Sequence, residues 1–223
     1  MPRNLFEREM PHLRDGIVDM GHDVDMVLGD TAEVLRSMSG ERAAQVGELE
    51  RTVDRYERRL EDLCVNIIAL QQPLASDLRT ITAALKIVTD MERISDQCYD
   101  ICELIQTLSS SDRQIKTPPR ILEMMRRARE MFNQSLEAFV TGDEEAARKV
   151  CESDDVIDRL FSQSVMDGCA NLSGKPAGIP REVDYLFIAK YIERIADHAT
   201  NIAEWVLFIK TGRHPDSADK KDV

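Results

Sequence analysis

The sequence predicts an all-α fold of two tandem three-helix bundles related by a pseudo-twofold repeat. Three observations support this prediction. Apolar residues recur at helical spacing along almost the whole chain, glycine and proline are scarce, and charged motifs of the first half recur in the second. Ten glycines and eight prolines among 223 residues fall below the roughly 12% of average usage. With 31% of its residues charged, the composition favours long helices over strands joined by tight turns.

The first three helices are predicted over 5–38, 41–71 and 74–109. In each of them, apolar side chains recur at steps of three and four residues, which places them on one face of a helix. Turn residues mark the two breaks, at Ser39-Gly40 and at Gln71-Gln72-Pro73.

The last three helices are predicted over 118–140, 143–172 and 181–211, on the same spacing of apolar residues. Pro118-Pro119 opens the fourth helix, since proline is well tolerated in a first helical turn. Thr141-Gly142-Asp143 separates the fourth helix from the fifth, and the glycine- and proline-rich segment 174–180 separates the fifth from the sixth.

An internal repeat divides these helices into two groups of three. Met91–Asp96 matches Ile192–Asp197 at an offset of 101 residues, and Glu50–Arg55 matches Asp154–Arg159 at an offset of 104. We therefore predict one bundle over residues 1–112, a second over 113–212, and a disordered polar tail over 213–223.

The repeat preserves pairs of acidic residues spaced four apart. There are four such pairs: Glu50/Asp54, Glu92/Asp96, Asp154/Asp158 and Glu193/Asp197. Residues at i and i+4 share one face of a helix, and two like charges there destabilise it by roughly 0.2–0.5 kcal/mol. A repeated, unfavourable arrangement of this kind indicates a function for the carboxylates.

The helix hairpin around Pro73 brings two of these pairs to the same level. Asp54 and Glu92 each lie 19 residues from Pro73, so antiparallel packing places their pairs side by side, and Asp100 continues the acidic face one turn beyond Asp96. Converging carboxylate oxygens suit a hard cation, which removes their repulsion. We predict a metal site there and an equivalent one in the second half. A solvated helix surface compensated by arginine remains the alternative.

Composition and motifs exclude several classes of function. A net charge of −12 argues against binding nucleic acid or acidic lipids. No apolar stretch approaches the ~20 residues of a membrane span, and the first residues do not resemble a signal peptide, so we expect a cytoplasmic protein that does not insert into the membrane.

No phosphate-binding loop or nucleophilic triad is apparent, so we predict no catalytic residues and no enzyme. The Glu-x-x-His pairs of di-iron proteins have one weak counterpart, Glu9 to His12, which Pro11 interrupts. A metal-dependent phosphatase or di-iron oxidase built on the same carboxylates remains an alternative.

Three segments resemble the PhoU family of bacterial and archaeal phosphate regulators. They are the hairpin sequence Gln71–Arg79 and the paired motifs Met91–Ile101 and Tyr191–Ile202. Val53-Asp54 and Ile157-Asp158 fall where the other acidic pairs of that family lie. The resemblance covers nearly the whole chain, and it implies a PhoU-like fold of two similar three-helix bundles.

The resemblance also implies a function. Such proteins are cytoplasmic negative regulators, acting between a phosphate ABC transporter, through its ATPase subunit, and a sensor histidine kinase. They form homodimers or larger assemblies, are not known as enzymes, and bind divalent or trivalent metal ions such as Mn, Mg, Fe or Zn. An accessory role beside another phosphate transporter is a further alternative.

When the metal ligands of the family are matched to this sequence by position, the resemblance implies nine ligands. They are Glu50, Asp54, Glu92, Asp96 and Asp100 in the first half, and Asp154, Asp158, Glu193 and Asp197 in the second. Asp100 aligns with Asn201, so we expect the second site to be the weaker one. Arg126, Arg127 and Arg129 form a possible contact patch for partners, although a solvated face is the simpler interpretation.

Overall fold

The computed structural model describes residues 3–71, 73–111, 116–172 and 179–213. Within these ranges the chain forms six helices and no strands, which confirms the predicted all-α fold, and every helix end lies within two residues of its predicted position. The helices are α1 (Arg3–Ser37), α2 (Gly40–Gln71), α3 (Ala75–Ser111), α4 (Pro119–Thr141), α5 (Glu144–Leu172) and α6 (Ile179–Thr211).

The six helices form two units of three. Helices α1, α2 and α3 all contact one another, as do α4, α5 and α6. The two units meet where α3 packs along α6 and α1 packs against α4. Helices α3 and α6 are therefore central, each with helices of its own unit on one side and of the other unit on the opposite side.

The apolar stripes predicted from the sequence form the core. On α3 the stripe includes Ile87, Met91, Ile94, Cys98, Ile101 and Ile105, all fully buried. Its counterpart on α6 includes Ile188, Ile192, Ile195, Ala199 and Ile202, which are equally inaccessible. One contiguous cluster joins both units.

The turn between α4 and α5 shows how the sequence ends and restarts a helix. Gly142 has a φ of 66°, a left-handed conformation that glycine adopts without steric cost. Asp143 then caps α5, because its Oδ1 accepts hydrogen bonds from the backbone amides of Glu145 at 2.9 Å and Ala146 at 3.1 Å.

Two sequence predictions fall largely outside the described residues. These are the segment between α5 and α6, of which 173–178 is not described, and the tail, of which only Arg213 is described. None of the helices in the described ranges is long and apolar enough to span a bilayer.

A polar contact crosses the buried boundary between α3 and α6. Asp90 is only 9% exposed. Its Oδ1 accepts hydrogen bonds from His198 Nδ1 at 2.8 Å and from Asn201 Nδ2 at 3.1 Å. His198 is thus engaged with the other unit, and the contact links the two units through three polar side chains.

Asp90→Ala is expected to lower the free energy of unfolding by about 1–3 kcal/mol, because it leaves two half-buried donors without an acceptor. Chemical denaturation measures this difference. The exposed Asp62→Ala on α2 is the matched control and should change stability by less than about 0.5 kcal/mol. Equal effects of the two substitutions would contradict a structural role for the contact.

Candidate metal centre

Three carboxylates meet between α2 and α3. Glu50 and Asp54 come from one face of α2 and Asp96 from the facing side of α3. One oxygen from each lies within 4.8 Å of the other two. We call these residues the acidic trio. All three are half-buried, so the trio is screened from bulk water but accessible from it.

The local structure explains this convergence. Glu50 and Asp54 are one helical turn apart, so both point to the same side of α2. The antiparallel hairpin of α2 and α3 then brings Asp96 opposite them, as the equal distances from Pro73 predict. The sequence predicts that acids of α2 and α3 lie side by side. The structure shows this for the three residues of the acidic trio.

Glu92 is the most deeply buried acid beside the trio. Its side chain is 13% exposed, and its Oε2 is buried without a hydrogen-bond partner. Burial, reinforced by the charges of Asp96 and Glu57, raises the pKa of Glu92 to about 7. A buried carboxylate oxygen without a donor is unfavourable in the metal-free protein, and a cation would satisfy it.

Two further pKa shifts on α2 show that the acids form one electrostatic group. Burial raises the pKa of Glu50, and the charges of Asp54 and Asp96 add to the effect. Burial also raises the pKa of Glu57, with further contributions from Glu61 and Asp54.

Glu57 is absent from the ligands predicted from the sequence. The available signal was its position seven residues after Glu50, on the same face of α2. That signal was not sufficient, because spacing along α2 does not reveal which acids lie close to Glu92.

Arginine compensates for this acidic surface only in part. Arg93 Nη1 donates a hydrogen bond of 2.9 Å to Asp96 Oδ2, and its Nε lies 3.3 Å from Glu92 Oε2 without hydrogen-bond geometry. Arg58 Nη2 is 3.8 Å from Asp54. Arg93 is 54% exposed, so it can leave the site at little cost. The group of acids therefore fits a hard cation, with Arg93 as a displaceable counter-ion.

Asp100 is not part of the acidic trio. It lines the groove between α3 and α6 together with Arg194 and His198, and Asp96 of the trio borders the same groove. Burial raises the pKa of Asp100, helped by Asp96 and opposed by Arg194. Asp100 therefore lies one turn along α3 from Asp96, under the influence of both Asp96 and Arg194 of the other unit.

In the second unit, the equivalent acids also raise one another's pKa values. Burial raises the pKa of Asp197 to about 6, with Glu193 and Asp154 adding to it. Burial likewise raises the pKa of Asp154, helped by Asp158 and opposed by the nearby Thr200 hydroxyl. Asp154 Oδ1 is buried and has no partner with full hydrogen-bond geometry. Within the described ranges, however, no three acids of this unit approach one another as closely as the acidic trio.

Two residues of the second unit, Phe161 and Lys190, make this second group less acidic than the first. Phe161 stands where the 104-residue offset places the counterpart of Glu57. Lys190 lies 5.4 Å from the centre of the Phe161 ring and donates a hydrogen bond to Glu193. The second unit thus supplies its own cation to one of its acids.

The structure also accounts for Asn201, the counterpart of Asp100. Its side-chain amide donates to Asp90 across the unit boundary, so it serves the contact between α3 and α6. An aspartate at this position would place a second carboxylate against Asp90.

Raising the pH is expected to destabilise the metal-free protein. The folded pKa of Glu92, about 7, lies above the ordinary value of 4.5, so its contribution to stability is complete below pH 4.5 and is lost as the pH rises through 7. The free energy of unfolding in a chelator should fall by roughly 2 kcal/mol from this group between pH 5 and 8.

Glu92→Gln should remove this part of the pH dependence and raise stability at pH 8, because no buried charge remains. Glu48→Gln, at an exposed position on α2, is the matched control and should leave the pH profile unchanged. If the free energy of unfolding depends on pH in the same way for Glu92→Gln and the unmodified protein, the charge of Glu92 does not destabilise the fold. Denaturant titrations at several pH values measure all three profiles.

Comparison with known proteins agrees with the two-unit architecture. A model of the PhoU domain matches residues 17–105 and again residues 121–206, and each match falls within one unit. The chain is 30% identical to the phosphate-specific transport system accessory protein PhoU homolog of Clostridium acetobutylicum, over 98% of this chain and 100% of that protein. It is 33% identical to the homolog of the same name from Zymomonas mobilis, over 98% of this chain and 92% of that protein.

Solved structures show the same architecture. The crystal structure of PhoU from Pseudomonas aeruginosa superposes with a TM-score of 0.88 at 29% identity, covering 93% of this chain and 100% of that one. The phosphate transport system regulatory protein PhoU from Streptococcus pneumoniae has a TM-score of 0.85 at 23% identity, over 94% of this chain and 98% of that one, which supports the fold. From the two domain matches and the full-length relatives together, the chain belongs to the PhoU family.

Proposed function

We propose that this protein is a metal-binding regulator of phosphate uptake and phosphate-starvation signalling. The family relationship supports an accessory role beside a phosphate transporter, since relatives over nearly the full length are named phosphate-specific transport system accessory proteins. Within that role, we propose a cytoplasmic negative regulator that connects the ATPase subunit of the transporter with a sensor histidine kinase. The protein acts through binding, and no catalytic step is assigned to it.

The observation that carries the metal proposal is the acidic trio beside Glu92. Glu50, Asp54 and Asp96 would hold the ion, while Glu92 and Glu57, which interact electrostatically with Asp54 and Asp96, would add negative charge beside it. A site built from carboxylate oxygens alone favours Mg, Mn or oxidised Fe over Zn, which prefers nitrogen and sulfur ligands. In the second unit, Asp154, Asp158, Glu193 and Asp197 would hold an ion more weakly.

The bound ion would supply positive charge between α2 and α3. It would offset repulsion among acids on these two helices and so fix the face of the α2–α3 hairpin. A regulator that recognises membrane proteins needs such a defined surface, and the net charge of −12 would steer it towards basic cytoplasmic loops.

The arginine patch on α4 is a weaker candidate for the docking surface. Arg126 and Arg127 both bind Glu123, and Arg129 donates to Asp25 at 2.7 Å and 2.9 Å. Their charges are already balanced by acids of this chain, as expected for a solvated face.

Asp96→Asn is expected to weaken Mn²⁺ binding at the tighter site by roughly tenfold or more, because it removes one oxygen charge from the acidic trio. Asp197→Asn should affect only the weaker site, where Lys190 already competes for Glu193. Calorimetric titration of chelator-treated protein with Mn²⁺ separates the two.

The exposed Asp19→Asn on α1 is the matched control for this titration. Unchanged Mn²⁺ binding in an Asp54→Asn/Asp96→Asn double variant would refute the assignment of the metal to this site. It would leave the arginine-compensated surface as the explanation of the acids.

Deleting the gene in its host is expected to switch on phosphate-starvation genes even when phosphate is plentiful, because a negative regulator is lost. A reporter under a phosphate-starvation promoter measures this. The unmodified gene should restore repression, and the Asp54→Asn/Asp96→Asn variant should restore it only in part. Normal repression after deletion would refute the regulatory role while leaving the metal site open to its own test.

The competing enzyme hypothesis has a separate measurement. Metal-dependent turnover of a phosphoester or of oxygen that is lost in the Asp54→Asn/Asp96→Asn variant would support a carboxylate-bundle enzyme instead of a regulator. We expect no such turnover.

A further inference from the structure

Large apolar side chains are exposed around the turn of the α2–α3 hairpin. They are Val65, Ile68 and Leu70 on α2, and Leu74 and Leu78 around the start of α3, and each is 37–69% exposed. We call these five residues the hairpin patch. Single exposed apolar residues are common on protein surfaces, whereas a group of them at one place is typical of a surface that binds a partner.

The register of the hairpin places the patch on the same side as the acidic trio. Ile68 and Leu78 each lie five residues from Pro73, just as Glu50 and Asp96 each lie 23 residues from it. The antiparallel packing that brings the two acids together therefore also places Ile68 beside Leu78. The patch is thus formed by both helices of the hairpin.

On α2, the acidic side of the helix leads directly into the hairpin patch. Glu61 adds to the raised pKa of Glu57, so it belongs to the same electrostatic group. Val65 lies one helical turn beyond Glu61, and Ile68 lies two turns beyond it. One side of the hairpin therefore carries acids along its middle and apolar side chains at its turn.

The matching hairpin of the second unit also exposes apolar side chains near its turn. Met166 on α5 and Phe187 on α6 are both exposed, although neither stands at the exact counterpart of a patch residue. Packing within a helix pair does not require apolar side chains on the surface. Their occurrence near the same end of both units therefore supports a role in binding.

The hairpin patch is bordered by negative charge. The segment 60–78 contains three acids, Glu61, Asp62 and Asp77, and no lysine, arginine or histidine. The two flanking arginines face other elements. Arg59 lines the groove between α1 and α2, and the Arg79 guanidinium lies against Gly212 at the end of α6. An acidic border around an apolar surface favours a partner with positive charge.

This charge argues against two other occupants of the patch. In a dimer related by a twofold axis, both copies use the same surface, so Glu61 and Asp77 of one copy would approach the same acids of the other. An acidic lipid surface would likewise be repelled by these carboxylates.

We propose that the hairpin patch binds a basic amphipathic helix of a partner protein. The apolar face of that helix would lie on the patch, and its lysine and arginine side chains would face Glu61, Asp77 and the acids further along α2 and α3. This proposal rests on the proposed function, in which the protein acts through binding. It adds the surface that is used and the chemistry of the partner.

A synthetic helix of about 18 leucine and lysine residues, with the leucines on one face, is the probe for this proposal. Fluorescence anisotropy of the labelled peptide should show saturable binding to the full chain in a chelator. A peptide with glutamate in place of every lysine should bind at least tenfold more weakly. Val65→Ser/Leu78→Ser should weaken binding of the basic peptide by roughly tenfold, because it removes apolar contacts from both helices.

Met26→Ser/Val140→Ser is the matched control, because it removes two exposed apolar side chains away from both hairpin turns. This variant should bind the basic peptide like the unmodified protein. If Val65→Ser/Leu78→Ser does not fold, as judged by circular dichroism, Leu74→Ser should weaken binding severalfold from its exposed position before α3. Absence of saturable binding, or equal binding by the patch variant and the control, would overturn the proposal.

Two further measurements test the other occupants. Self-association of the full chain in the analytical ultracentrifuge, or binding to phosphatidylcholine vesicles, would overturn the proposal if Val65→Ser/Leu78→Ser abolished it. The reporter experiment keeps this test separate from that of the proposed function. Peptide binding with normal repression after gene deletion would refute the regulatory role alone. Absence of peptide binding with lost repression would refute the partner surface alone.

Discussion

The architecture depends on the burial of the two central helices, α3 and α6. Each contacts helices of its own unit and a helix of the other unit, so most of its surface must be apolar and charge on it is costly. The half-buried or buried acids on these helices differ in whether a hydrogen-bond donor compensates for them. Asp90 is compensated by His198 and Asn201, whereas Glu92 keeps a buried oxygen with no donor. That difference separates a structural contact from a candidate binding site.

Local rules in the sequence predict the fold and part of the site. Helical periodicity and turn residues place all six helices, and the equal distances from Pro73 predict that Asp96 meets the acids of α2. Other features depend on how each helix is rotated against its neighbours, which periodicity alone does not specify. Asp100 shares a face with Asp96 and lines the same groove towards α6, yet it does not join the close group that Asp96 forms with Glu50 and Asp54. Lys190 pairs with Glu193 through a contact that no spacing rule indicates.

The repeat is conserved in its framework and has diverged in its sites. Both units keep the apolar stripes and two acid pairs, but the second has Phe161 in place of Glu57 and Asn201 in place of Asp100. The repeat also differs on its central helices, where the second unit has Tyr185 and the first has Ala84. The two units thus share a framework, whereas their groups of acids differ.

The central claim is that the acidic trio is a metal site rather than a solvated, arginine-compensated surface. Anomalous diffraction from crystals of the full chain grown with Mn²⁺ tests it most directly. The account predicts an anomalous peak coordinated by Glu50, Asp54 and Asp96, with the side chain of Arg93 displaced. A map with no peak there, and with these carboxylates bonded only to arginine and water, would contradict it.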